Sequence, residues 1–208
     1  MRILPQVDVL HLCLNGYTIM PKWTRNHPKL VPVLSPENTL TSASKLMWVN
    51  SVTNCHYVSL DDDIIYPVDY VSYMVDKIDK YNRANVVTVH GGRIVDKERN
   101  WPSCLRLFHF AKPLERDEPV DVPGAGTCAF FVHSQKLSLK AFKGTPMTDL
   151  RLAYAVRNWG MDLVAISREA RWLRVDDRLS GCESVWKEAI GSKEIIEERT
   201  NYLREHLI

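Results

Sequence analysis

Hydrophobic residues fall in short extended runs separated by segments of helical period. Residues 7–14 read as a core strand and residues 29–34 as a second, shorter one. Thr41 or Ser42 is placed to cap a helix that carries Leu46, Val49 and Val52 on a partial apolar face. Residues 56–60 form a buried strand that stops at Asp61-Asp62-Asp63. Pro67 opens a helix over residues 68–80, where Val71, Met74, Val75 and Ile78 recur at helical spacing. Further strands are predicted at residues 86–90, 105–110, 127–133 and 162–167. A helix begins at or next to Asp149 and ends at Gly160, and residues 184–207 have helical tendency with many charges.

This alternation predicts an α/β fold: one open-sheet domain with helices on both faces. The uneven, loop-rich stretch at residues 93–123 argues against a TIM-barrel repeat. The 208 residues, 45% of them hydrophobic, support a full core and exclude a disordered or fibrous chain. No apolar run approaches the ~18 residues of a transmembrane helix. The net charge of +2 removes the broad electrostatic case for a nucleic-acid partner, without excluding a local cationic pocket. Cys13, Cys55, Cys104, Cys128 and Cys182 are widely spaced, with no CxxC pair, and read as reduced thiols. No secretory leader is recognisable, so the expected location is the cytoplasm or the inner face of the cell membrane.

The acidic triplet is the first candidate chemistry. In an extended segment Asp61 and Asp63 point one way and Asp62 the other. Two carboxylates at a strand's C-terminal end suit Mg²⁺ or Mn²⁺, which would bridge them to a diphosphate. Open α/β sheets bind ligands beyond those strand ends. The same residues also read as a solvated loop capping the next helix. A phosphohydrolase using Asp61 is a weaker alternative, because Ile65 stands where a small hydroxylated residue is wanted. Arg168, Arg171 and Arg174 around Trp172 form the clearest cationic patch. Arginines suit a diphosphate and Trp172 a sugar face, although a solvated basic loop balanced by Asp176 and Asp177 fits equally.

The segment YVSLDDDIIYPVDYV resembles the donor site of bacterial capsular polysaccharide glycosyltransferases with the single-domain A-type fold. It is most similar to the alpha-N-acetylglucosaminyltransferase family of heparosan (K5-type) capsule synthesis. The resemblance continues through VDVLHLCLN, VVTVHG, GAGT, MTDLRLA, REARWLR and SGCESVW, in order, over about residues 5–190.

The resemblance implies a Rossmann-like open mixed sheet in one domain. Residues 1–90 would be the donor-binding half, residues 91–190 the acceptor side, and residues 191–208 a charged helical tail. Asp61 and Asp63 would hold the metal and the donor diphosphate, with Asp62 aiding nucleotide or sugar placement. Lys45 matches a donor-side lysine, although the acid and glycine that usually precede it are replaced here by residues 41–44. His90 and Gly91 would lie near the cleft, while Gly124, Gly126 and Thr127 would shape the sugar wall. Asp149 and Asp63 would be the catalytic carboxylates. Asp149 would serve as general base in an inverting enzyme, or orient the acceptor in a retaining one. Its position also suits an N-terminal helix residue favoured by the macrodipole.

The implied reaction moves N-acetylglucosamine from a UDP-sugar to a growing surface polysaccharide. A second transferase and a capsule export complex are the implied partners. A non-catalytic saccharide or nucleotide-sugar binding module is the other reading. Related enzymes carry a further strand and a loop before the segment matching residues 4–8, which help to hold the uridine. A donor half lacking its first strand is therefore expected.

Overall fold

The structure, a computed structural model, describes residues 2–25, 27–143, 147–176, 178 and 185–208. Cys182 and most of the SGCESVW segment lie outside the described residues. The elements in chain order are β1 (Leu10–Asn15), β2 (Leu30–Ser35), β3 (Cys55–Val58), β4 (Ile64–Ile65), α1 (Tyr70–Lys80) and β5 (Asn85–Thr88). There follow β6 (Gly91–Ile94), β7 (Leu105–Phe108), β8 (Glu118–Pro119), β9 (Val122–Pro123), β10 (Cys128–Val132) and α2 (Thr148–Asn158). The last are β11 (Asp162–Ala165), β12 (Arg174–Val175), α3 (Val185–Gly191) and α4 (Lys193–His206).

The central sheet has five strands in the order β3-β10-β5-β11-β8. β10 is antiparallel to both β3 and β5, and β11 runs parallel to β5. Strands β3, β5 and β11 therefore share one direction, and strands from both sides of residue 90 interleave in a single sheet. The period of two explains how it is covered. Val87, Ala129 and Phe131 face α1, which buries Tyr70, Val71, Met74 and Ile78 against them. Val86, Cys128, Phe130 and Val132 face α2 through Leu152, Ala153 and Val156. Each such large apolar side chain contributes about 1.5–3 kcal/mol when fully buried. All five residues of β10 are buried, as expected for a strand covered on both faces. This is a mixed α/β architecture with flanking helices.

Smaller sheets surround it. β7-β6-β9 is antiparallel, β12 pairs with β4, and β1 pairs with β2 in parallel. Helix α4 and the end of α3 close a third cluster, in which Leu203 and Ala189 meet Trp101 and Leu150. Helix α2 ends as its sequence predicts. Gly160 adopts φ +68°, and the Met161 N–H donates to the Val156 carbonyl at 3.2 Å. Cys104 and Cys128 are buried, Cys13 and Cys55 half-buried, and all four are free thiols.

Two expectations change. Residues 7–14 are not a core strand: β1 starts at Leu10, and Leu14 is its only buried residue. β1 bonds to β2 alone, and both β1 and β3 line one large cleft, with no described strand between them. The helix expected after Thr41 is instead a pair of 3₁₀ turns, Thr41–Leu46 and Val49–Ser51. Thr41 itself has φ +44°, and the serine hydroxyls serve tertiary partners. Ser44 Oγ accepts from Asn15 Nδ2 at 3.0 Å, and Ser42 Oγ lies 2.7 Å from Thr148 Oγ1. Such bonds favour tight turns over a continuous helix.

Candidate functional site

The C-terminal ends of the parallel strands β3 and β5 and the start of β10 open on a cleft of about 2380 Å³. That volume exceeds a typical small-molecule pocket of about 300–1,000 Å³ and leaves room for two ligands together. Asp61, Asp62 and Asp63 line it where the chain leaves β3. The triplet is a turn rather than an extended segment, so the expected alternation of side chains does not apply. All three carboxylates nevertheless reach the cleft.

Asp61 is held on every side. The C-terminal end of β1 anchors the turn carrying Lys45, through Asn15 Nδ2 to Ser44 Oγ and to the Thr41 carbonyl at 3.2 Å. Tyr57 donates to the Lys45 carbonyl at 2.6 Å, which fixes the turn against β3. Lys45 Nζ then forms an ion pair with Asp61 Oδ1. From the other side, the Asp61 N–H donates to Tyr66 Oη at 2.8 Å, and the Tyr66 hydroxyl donates to the Gly126 carbonyl at 2.6 Å. Gly126 is glycine for a steric reason, because a Cβ there would overlap the Asp61 carboxylate. Removing the hydroxyl in Tyr66→Phe leaves the buried Gly126 carbonyl and the part-buried Asp61 N–H without this partner. We expect a loss of about 2 kcal/mol, read as a lower denaturant midpoint at unchanged slope.

Asp63 has its carboxyl pKa raised, by desolvation first and then by the charges of Asp61 and Asp62. Asp176 donates its N–H to the Asp63 carbonyl at 2.8 Å and carries Arg178 as its carboxylate partner. Both Asp176 and Arg178 line the cleft. Asp149, in the first turn of α2, faces the same cleft across residues 124–126. Its Oδ1 accepts from the Ala125 N–H at 2.8 Å. The Asp149 side chain is exposed at the wall of the cleft. The surrounding protein raises its pKa by desolvation, opposed by the Ala125 hydrogen bond and by Lys45.

His90 and residues 124–127 form one clamp. Gly124 N–H donates to the His90 carbonyl at 2.7 Å, and His90 N–H donates to Thr127 Oγ1 at 2.9 Å. A Cβ on Gly124 would lie 2.7 Å from the His90 Cβ, so this close approach also requires glycine. Burial, then His109 and Arg168, lowers the His90 pKa to about 4. Its imidazole is therefore neutral at pH 7 and offers a hydrogen-bonding group rather than a cation. Thr127 lies at the cleft with its hydroxyl engaged in the clamp, and Gly91 begins β6 beneath it.

The basic segment is placed elsewhere. Arg168 is buried and donates to the carbonyls of Ile166, Phe108 and His109 at 2.9, 3.2 and 3.0 Å. Arg171 is an exposed turn residue with φ +59°, and Arg174 lies exposed on β12. Trp172 packs against Tyr70 and Tyr73, with ring centroids 5.5 and 5.0 Å apart. None of these four lines the cleft. The three-residue spacing of the arginines gives no common face, because the segment is not helical. Among the described residues, the lysines and arginines that line the cleft are instead Arg2, Lys45, Arg178 and Arg199, with Lys45 paired to Asp61 and Arg178 to Asp176. Arg199 comes from α4 and stacks on Trp101 at 4.3 Å. It carried no sequence signal, since it sits in an ordinary charged helix. Among the described residues, no three His, Cys, Asp or Glu side chains converge as a ready metal cage.

No protein-family model matches this chain, and a comparison with curated proteins finds no match.

Proposed function

We propose that this protein transfers a sugar, N-acetylglucosamine as the first candidate, from a UDP-sugar to a growing surface or capsular saccharide, on an A-type glycosyltransferase fold. The observation that carries the reading is the pairing of an acidic turn with Lys45 and, across residues 124–126, with Asp149 in one cleft. The lysine and the acidic turn suit the diphosphate side of a donor. Asp149 suits the acceptor side, where a carboxylate with a raised pKa orients or deprotonates a hydroxyl.

A divalent cation fits the residues present. Asp63 stands beside two further carboxylates whose charges add to the desolvation that raises its pKa, and a cation would relieve that negative cluster. Asp61 and Asp63 would hold Mn²⁺ or Mg²⁺, which supplies neutralisation of the charge on the departing nucleotide. Lys45 holds Asp61 in place and adds a second positive charge beside the diphosphate. A cytoplasmic site of action, with a second transferase and an export assembly as partners, belongs to the same proposal.

The test is incubation of the purified protein with Mn²⁺, a panel of UDP-sugars and capsule-type oligosaccharides, with products read by mass. An acceptor gaining one N-acetylhexosamine is expected, with Asp63→Asn lowering its yield at least about tenfold. Folded protein that neither binds a donor nor extends any acceptor would sink the proposal. Release of phosphate without acceptor, abolished in Asp61→Asn, would assign the phosphohydrolase reading instead.

A further inference from the structure

The strands β1 and β2 are parallel, so the chain must cross from the end of one back to the start of the other. It does so through residues 16–29. Such crossovers are normally helices that bury an apolar face on the sheet. Among its described positions this one contains only a single 3₁₀ turn, Lys22–Thr24, and Thr24 is the only buried residue. Its large apolar side chains point outward instead: Ile19 is 75% exposed, Trp23 56% and Tyr17 49%. These three include the most exposed aromatic residues of the described chain and lie within seven positions of one another.

The charge around them is one-sided. Between Asp8 and Glu37 the sequence has no acidic residue, while Lys22, Arg25 and Lys29 are basic. Those three cations exceed the net +2 of the whole protein. Lys29 turns inward to donate to the Val7 carbonyl at 2.7 Å, which leaves Lys22 and Arg25 exposed beside Trp23. Exposed Trp, Tyr and Ile among cations, in a segment with no carboxylate of its own, is the composition of a surface that sits at an anionic bilayer. The aromatic rings rest at the headgroup level, and the cations meet phosphate.

We propose that residues 16–25 dock this protein on an anionic lipid surface, with Ile19 and Trp23 as the inserted side chains and Lys22 and Arg25 as the headgroup contacts. Trp23 also lines the central cleft, so docking brings that edge of the cleft to the bilayer. The proposal is independent of sugar transfer, and either can fail alone.

Flotation with vesicles of phosphatidylcholine, with and without about 30% phosphatidylglycerol, tests it directly. Binding is expected to the anionic vesicles at least about tenfold above the neutral ones, and to weaken at about 1 M salt, where the Debye length is about 3 Å. Lys22→Ser with Arg25→Ser should weaken it about 25-fold, from roughly fivefold per cation. Ile19→Ser with Trp23→Ser should weaken it at least about tenfold while salt sensitivity remains. All four positions are exposed, so circular dichroism and thermal melting should match the parent protein and establish that the variants are folded. Absence of binding by the folded parent, or binding unchanged in both variants, overturns the proposal. Self-association in vesicle-free solution that disappears in Ile19→Ser/Trp23→Ser would also overturn it, by assigning the surface to a second copy of the chain.

Discussion

Replacing Gly126 by alanine is expected to cost at least about 100-fold in the proposed sugar transfer while leaving the protein folded. The added Cβ would occupy the space of the Asp61 carboxylate, so one of the two must move. Rotating the Asp61 side chain breaks its ion pair with Lys45, and shifting its backbone strains the N–H bond to Tyr66. Gly126 is no freer, since its carbonyl accepts from the same Tyr66 hydroxyl. A displacement of about 1 Å in a reacting constellation is enough for a loss of that size. The measurement is a comparison of kcat with the thermal midpoint. A variant that melts within a few degrees of the parent yet retains full transfer would show that the position of Asp61 does not matter for the reaction. Gly124→Ala probes the other end of the clamp, against His90.

The second large effect concerns stability. Asp117→Ala should lower stability by about 3 kcal/mol, equivalent to about 6–12 °C in a protein of this size. Asp117 is buried between the end of α1 and the segment after β11. Its carboxylate accepts from Lys77 at 2.7 Å, the Ser167 N–H at 2.7 Å, Lys80 at 2.8 Å and the Tyr81 hydroxyl at 2.9 Å. Truncation leaves Lys77, itself only 12% exposed, without its carboxylate. Desolvation raises the Asp117 pKa, but the bonds from Lys77, Lys80, Ser167 and Tyr81 outweigh it and hold the carboxyl well below the ordinary range.

The sign of the pH dependence follows. A folded-state pKa below the unfolded value of about 3.9 contributes stability that is complete above that pH. It is lost as the pH falls through the lower folded pKa. The difference between parent and Asp117→Ala should therefore be constant near neutrality and narrow below about pH 4. Equilibrium urea unfolding over that range checks it. A constant difference down to strong acid would mean that the carboxylate charge does not carry the effect.

Much of the frame was legible because local and long-range demands agreed. Residues 128–132 are a continuous apolar run and residues 86–88 a continuous β-branched one, and only a strand covered on both faces uses such runs well. Helix α1 announced itself by Val71, Met74 and Ile78, and α2 by its periodic apolar face ending at Gly160. The acidic triplet was legible as chemistry because three carboxylates directly after an apolar strand are conspicuous. Asp149 needed the resemblance to be singled out, and Tyr66 and Gly126 gave no sign of meeting Asp61.

The expectations that changed share one cause. Thr41 and the serines after it look like a helix start, but their hydroxyls answer to Asn15 and Thr148, distant in sequence. Arg168 looks like a phosphate ligand, yet its two terminal nitrogens donate to three main-chain carbonyls from β7 and the flanks of β7 and β11. Residues 7–14 look like a core strand, yet β1 has a partner on one edge alone.

From its sequence alone this chain was committed to an α/β frame, to an acidic turn at the end of a strand, and to a near-neutral charge that hides a basic crossover at residues 16–29. Those are properties of period, composition and spacing, set by neighbours along the chain. Tertiary structure decided that Lys45, Gly126 and Tyr66 converge on Asp61, that Asp149 faces it across one cleft, and that the arginines around Trp172 do not. It also decided that Ile19 and Trp23 remain in solvent. The physical reason is the same throughout: burial and hydrogen-bond partners are assigned by residues tens of positions away, and no local pattern records which of them will arrive.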